Sequence, residues 1–164
     1  MKYIKLFENF NNVSDEYRNQ INEFAWEEKY LYHFTLDDNL DGIYDSGLIP
    51  RAEPNSYYNN ANEGVCLTDN ESFYKTNLPA SFMDVLDEYL DDDGKWISEQ
   101  PFTRLKIDIS QLDYSKFVHD DDYLPKNINE TKEESVINSL KGGYGVTYLD
   151  EIHSIVDDTK DFPW

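Results

Sequence analysis

The chain has 164 residues, 39% hydrophobic and 15% aromatic, which is enough apolar surface for one folded domain and too much for a disordered chain. Its 34 acidic and 14 basic residues leave a net charge of −20, a surface that repels phosphate backbones and anionic membranes and favours basic protein partners. No apolar run approaches the roughly 18 residues that span a bilayer, residues 1–10 lack a secretory signal's apolar core, and the single cysteine, Cys66, excludes a disulfide framework and a cysteine-based zinc cluster; a soluble cytoplasmic protein is expected.

Ile4, Leu6 and Phe7 lie among charges near the start, in a short strand or helix. Ser14 is placed to cap a helix running to about Trp26, with Asp15 and Glu16 in its first turn and Tyr17, Ile21 and Phe24 on one face. Tyr30 to Thr35 is aromatic and reads as a strand, with Leu31, His33 and Thr35 on one face and Tyr30, Tyr32 and Phe34 on the other. Asp37 then caps a helix over about Asp38–Ser46 that buries Leu40, Ile43 and Tyr44; Gly47 takes its left-handed end and Pro50 stops it.

A polar loop over Asn55–Glu63 leads to a short buried strand, Gly64–Thr68. One helix is expected from Asp69 or Asn70 through Tyr74, and another on Phe82, Val85, Leu86, Tyr89 and Leu90, ended by Asp91–Gly94. Phe102–Ile109 reads as a strand with Thr103, Leu105, Ile107 and Ile109 on one face. Leu112–Leu124 is irregular and acidic; Glu133–Leu140 is a helix closed by Gly142 and Gly143; Tyr144–Leu149 is a strand; Ile152, Ile155 and Val156 form a last apolar segment. Strands and helices do not alternate strictly, so the expected class is α+β, in one domain.

Metal chemistry finds little footing. Aligning Gly94 with the glycine of a calcium loop puts Tyr89 and Gln100 where acids are required. His33, His119 and His153 have no ligand spacing between them, and His119 sits in an acidic loop beside Asp120–Asp122. Gly142-Gly143-Tyr144-Gly145 lacks the lysine of a phosphate loop, and Cys66, flanked by Val65 and Leu67, is expected to be buried and inert. His33 is the most informative residue: it is either a core histidine bonded to backbone or, with the Thr35 hydroxyl on the same face, a ligand contact.

Tyr32-His33-Phe34-Thr35, then Asn39-Leu40-Asp41-Gly42-Ile43 and Ser46-Gly47-Leu48-Ile49-Pro50, resembles the opening of ADP-ribosyltransferase-like domains, a group that includes relatives of the RNA 2′-phosphotransferase. Gly64–Asp69, Leu105–Leu112 and Ser139–Ile152 resemble later strands of that family, in family order. The resemblance implies a split antiparallel or mixed β-sheet flanked by short helices over residues 30–164, with 1–29 as an extension carrying a helix and packed in the same domain. It implies NAD, as substrate, in the cleft, with His33 on ribose hydroxyls and Thr35, Thr68 and a stacking Tyr74 in the same pocket. Arg51, or Arg104 as an alternative, is the cation for the pyrophosphate, and Glu134 and Glu151 are the candidate catalytic acids, since a carboxylate there stabilises positive charge developing on the ribose. Met1–Phe10 also resembles the openings of tailed-phage proteins, which would place the chain in a host cytoplasm.

Three functions are therefore open. The first is transfer of ADP-ribose from NAD to a protein or nucleic-acid acceptor, with the charge of −20 favouring a basic protein. The second is a non-enzymatic acidic decoy that occupies a nucleic-acid-binding surface, and the third is a degenerate module that holds a nucleotide without chemistry.

Overall fold

Ser14 is itself extended and its hydroxyl accepts from Tyr17 N at 3.1 Å, so the first described helix, α1 (Asp15–Asn22), begins where its cap was expected. Tyr17 and Ile21, one turn apart, face the core and are buried. The computed structural model describes residues 13–50, 63–69, 91–93, 95 and 102–159. Of the helix expected from Asp69 or Asn70 through Tyr74 only Asp69 is described, and the helix expected on Phe82–Leu90 lies outside the described residues, as do Arg51 and Tyr74.

After α1 the chain reverses at Trp26–Tyr30, where the two residues exchange backbone hydrogen bonds of 2.8 and 2.9 Å. Glu27 and Glu28 adopt positive φ, 52° and 56°, as in the primed turns that normally select Asn-Gly. Strand β1 (Tyr30–Leu36) follows and leads through a 3₁₀ turn (Asp37–Asn39) into α2 (Leu40–Ser46). Three more strands and a helix then come in chain order: β2 (Val65–Leu67), β3 (Phe102–Asp108), β4 (Phe117–His119) and α3 (Lys132–Lys141). Strands β5 (Val146–Tyr148) and β6 (Ile155–Thr159) complete the described elements.

Two three-stranded sheets result, ordered β1-β3-β6 and β2-β5-β4, and every described strand pairing is antiparallel. β1 and β3 pair over seven residues, from Tyr30 opposite Asp108 to Leu36 opposite Phe102. The sheets meet at one rung, where Tyr32 N donates to Thr68 O (2.8 Å) and Thr68 N to Tyr32 O (2.9 Å). A single contiguous core joins both sheets and the helices: Ile21 of α1, Leu31, Leu67, Leu105, Ile107, Phe117, Val146, and Val136 and Leu140 of α3. One connected core makes an α+β molecule of one domain. Each fully buried aliphatic side chain contributes roughly 1.5–3 kcal/mol. No described helix is long and apolar enough to cross a membrane.

Several local expectations are corrected. Asp37 does not cap α2; its carboxylate accepts from Thr103 Oγ1 at 2.6 Å, and a 3₁₀ turn makes the entry instead. Tyr44 points outward, 54% exposed, and donates to the Asp158 carboxylate rather than joining the core. Gly47 has the positive φ expected (79°), but with ψ near 180° it leads directly into a bridge between Leu48 and Ile152. Ile109 leaves β3 to open a 3₁₀ turn capped by Asp108, whose carboxylate accepts from Ser110 N at 3.0 Å. Asp113 repeats this device with Ser115, also at 3.0 Å, ahead of β4 in the stretch expected to be irregular. Cys66, expected to be buried, is exposed, because the pleat of β2 turns Val65 and Leu67 inward.

Candidate functional site

The alternation of β1 sends Leu31, His33 and Thr35 to the face that meets the core, and the register sets Ile107, Leu105 and Thr103 of β3 opposite them. That face changes character along its length. Leu31, Ile107 and Leu105 are completely buried, whereas beyond His33 the face is polar, with Thr35 and Thr103 both buried. The buried hydroxyls are satisfied from the following 3₁₀ turn: Thr103 donates to Asp37, and Asn39 Nδ2 donates to Thr35 Oγ1 at 3.4 Å. The turn after β1 thus closes the polar end of the face.

His33 stands where the sheets part. One rung beyond the Tyr32–Thr68 pair, a continuing antiparallel ladder would match Phe34 with Cys66. Instead the His33 Nδ1 lies 2.8 Å from the carbonyl oxygen of Cys66, so the imidazole bonds the carbonyl that the next rung would have used. Burial lowers the His33 pKa below its ordinary value of 6.5, opposed by the bond to Cys66 O. A neutral ring bonded to a carbonyl carries its proton on Nδ1, which leaves Nε2 as a hydrogen-bond acceptor.

Thr68 lies at the same seam, half-buried, with its backbone in the joining rung and its hydroxyl donating to Asp69 O at 3.2 Å. Gly145 backs this segment closely: at φ 80° a Cβ there would come within 2.3 Å of Leu67 O. The seam therefore brings His33 beside Thr68, while Thr35 lies farther along the same face of β1 with Thr103. The Cys66 carbonyl at His33, and Asp37, Asn39 and Thr103 around Thr35, were missed as site residues. Thr103 was legible as a face-mate of Leu105; what binds it was not, because the Asp37–Thr103 bond spans 66 positions.

The other expected site residues lie elsewhere. Glu134 is exposed in the first turn of α3 and completes a capping box, its carboxylate accepting from Thr131 N at 3.0 Å while Thr131 Oγ1 accepts from Glu134 N at 3.1 Å. Glu151 is exposed between β5 and β6, with its carboxylate 3.1 Å from His153 Nε2. These bonds are local, and neither acid is bonded to His33 or Thr35. Arg104 lies on the opposite face of the sheet from His33, its guanidinium 4.5 Å above the ring centre of Tyr32. Among the described residues no group of three or more His, Cys, Asp and Glu side chains is arranged to hold a metal ion. Compared with family models, curated proteins and solved structures, the chain gave no significant match to any of them.

Proposed function

We propose that the chain is an ADP-ribosyltransferase-like protein that binds NAD at the seam between the two sheets and passes ADP-ribose to a basic protein acceptor. The observation that carries this reading is the state of His33, half-buried at the parting of the strands, with Nδ1 engaged by Cys66 O. Its Nε2 is suited to accept from a ribose hydroxyl, and the hydroxyls of Thr35 and Thr68 lie on the elements beside it. The ordered motif resemblance and the arrangement of two antiparallel sheets joined at one rung support the same reading.

In the transfer, the bond between the ribose anomeric carbon and nicotinamide breaks, nicotinamide leaves with the bonding electrons, and the acceptor nucleophile forms the new bond and gives up its proton. A carboxylate facing the anomeric carbon stabilises the positive charge that develops there. Glu151, whose partner is an exposed histidine, is better able to supply that carboxylate than Glu134, which α3 uses as its cap. The local engagement of both acids favours a second reading, NAD binding without transfer.

The test is NAD titration followed by a nicotinamide-release assay with a basic acceptor. NAD binding lost in His33→Ala, and nicotinamide release lost in Glu151→Gln but kept in Glu134→Gln, is the expected result. Binding without release in the unaltered protein selects the second reading. Absence of NAD binding removes both.

A further inference from the structure

The face of the first sheet turned away from the core carries a cavity of about 230 Å³. Trp26 and Tyr32 line it together with two cationic side chains, Arg104 and Lys106, and two carboxylates, Asp157 and Asp158. In the registers Lys106 lies opposite Tyr32 on one side and Asp157 on the other, so these three side chains share the face that His33 does not. Cations and carboxylates are equal in number here, so the lining selects no ion of one sign. It suits a ligand that carries both charges.

Two of the four charged groups are already engaged. The Arg104 guanidinium lies 4.5 Å over the ring centre of Tyr32, and Asp158, at the rim, accepts from Tyr44 OH. The other two face each other across the strands and do not close on one another. Among the described residues neither Lys106 nor Asp157 forms an ion pair. The Lys106 ammonium lies 4.2 Å over the ring centre of Tyr30, and the Asp157 carboxylate accepts from the backbone N–H of Asp158 at 2.8 Å. An exposed pair gains little by closing, so a ligand that takes both partners gives up little by keeping them apart.

Spacing sets the kind of ligand. Side chains directly opposite on neighbouring antiparallel strands start about 4.5–5.5 Å apart at Cβ. In an α-amino acid the ammonium and the carboxylate hang from one carbon, which matches a cation and a carboxylate standing side by side. A zwitterion with its charges at the two ends of a longer chain does not match. Trp26, 54% exposed, adds apolar surface at the edge of the cavity. Its backbone is held there by the two hydrogen bonds it exchanges with Tyr30, across the turn that keeps Glu27 and Glu28 at positive φ.

We propose that this outer cavity is a second small-molecule site and takes a free α-amino acid with an apolar side chain: carboxylate on the Lys106 ammonium, ammonium on the Asp157 carboxylate, side chain against the Trp26 indole. Both charges of the ligand then meet a charge-assisted partner, and its apolar part leaves water. The volume agrees in size, since about 230 Å³ falls below the roughly 300–1,000 Å³ of drug-sized pockets. The site does not depend on NAD binding at the seam, because the two use opposite faces of β1.

The experiment is calorimetric titration of the intact chain with the common L-amino acids, with urea unfolding of every variant as a check on the fold. The tightest binder is then compared with the amine that lacks its carboxylate, the acid that lacks its ammonium, and a dipeptide of the same residue, whose charges stand farther apart. We expect an amino acid with a large apolar side chain to bind, and each of the three analogues to bind about tenfold more weakly or worse. Lys106→Ala, Asp157→Asn and Trp26→Ala each lower affinity about tenfold, Lys106→Arg keeps it, and His33→Ala leaves it unchanged. The proposal is overturned if no amino acid binds at millimolar concentration, if the amine or the acid alone binds as well as the amino acid, or if Lys106→Ala and Asp157→Asn both fold and bind as the parent does. Loss of NAD binding alone bears only on the seam.

Discussion

Ser139→Ala and Ser135→Ala are the same change, four positions apart in α3, at two buried serines, and they should differ several-fold in cost. Ser139 is fully buried; its hydroxyl donates to Gly145 O at 2.7 Å and accepts from Asp120 N at 3.1 Å. It therefore ties the helix to the end of β4 and to the start of β5. Alanine removes two bonds, each with a net worth of about 0.5–1.5 kcal/mol, and leaves the Gly145 carbonyl buried without that donor. The sum is roughly 2–4 kcal/mol, a large share of the 5–15 kcal/mol typical of a native domain. Ser135 is buried too, but its hydroxyl donates at 3.0 Å to Thr131 O, which already accepts from Ser135 N at 2.9 Å. Its removal orphans nothing, and alanine favours the helix, so Ser135→Ala should stay within about 0.5 kcal/mol of the parent. Urea unfolding followed by circular dichroism reads both as shifts in midpoint at constant slope. Equal losses in the two variants, or a loss below about 1 kcal/mol for Ser139→Ala, would refute the claim that the unsatisfied carbonyl sets the cost.

Gly42 lies inside α2 with nothing within 4 Å of where a Cβ would stand, so Gly42→Ala should stabilise by about 0.5–1 kcal/mol and raise the melting temperature. Glu28→Gly should also stabilise, by about 1 kcal/mol, because glycine adopts the φ of 56° without steric cost; unchanged or lower stability in urea would mean the turn is not strained. His33 gives a pH dependence whose sign follows from burial. Its folded pKa lies below 6.5, so the unfolded chain takes up the proton first as pH falls. The stability tied to the neutral ring is complete above 6.5 and is lost as pH drops through the folded pKa; His33→Gln should flatten that decline. A His33 ring titration by NMR with a midpoint above 6.5 would contradict the assignment.

Elements with a strong period were legible in the sequence. The Ser14 cap, the Tyr17 and Ile21 face of α1 and the inward face of β3 follow from spacing, because each is set by which side of one element meets the core, whereas β1 buries Tyr32 and Phe34 on its second face as well and leaves His33 half-buried. β4 was not legible. Phe117, Val118 and His119 are too few to show a period, and what makes them a strand is pairing with β5 and the burial of Phe117, whose ring lies 5.3 Å from Tyr114 and 5.2 Å from Tyr148 in edge contacts. β6 was legible only in part. Only Ile155 and Val156 of it stood out, as an apolar segment, and pairing with the edge of β3 extends the strand through Asp157 and Asp158.

The site divides along the same line. That His33 and Thr35 share a face is a consequence of the pleat and could be read from four adjacent letters. That His33 bonds the carbonyl of Cys66, 33 positions away, could not, because the partner is a backbone atom and any residue type would offer it. The same holds for Arg104: its place on the face opposite Leu105 was legible, yet only the register of β3 against β1 sets its guanidinium over Tyr32. Sequence pattern assigns a side chain to a face; register decides what it meets there. Arg104, the alternative cation to Arg51, and His33, the proposed ribose contact, therefore part company, since a strand residue on the Tyr32 face cannot share a ligand on the His33 face without passing through the sheet. A cation for a dinucleotide at the seam must come from a residue other than Arg104. Charge reversal tests this: Arg104→Glu should leave NAD affinity at the seam within about twofold, and a loss of tenfold or more would place both residues on one ligand and refute the two-faced reading.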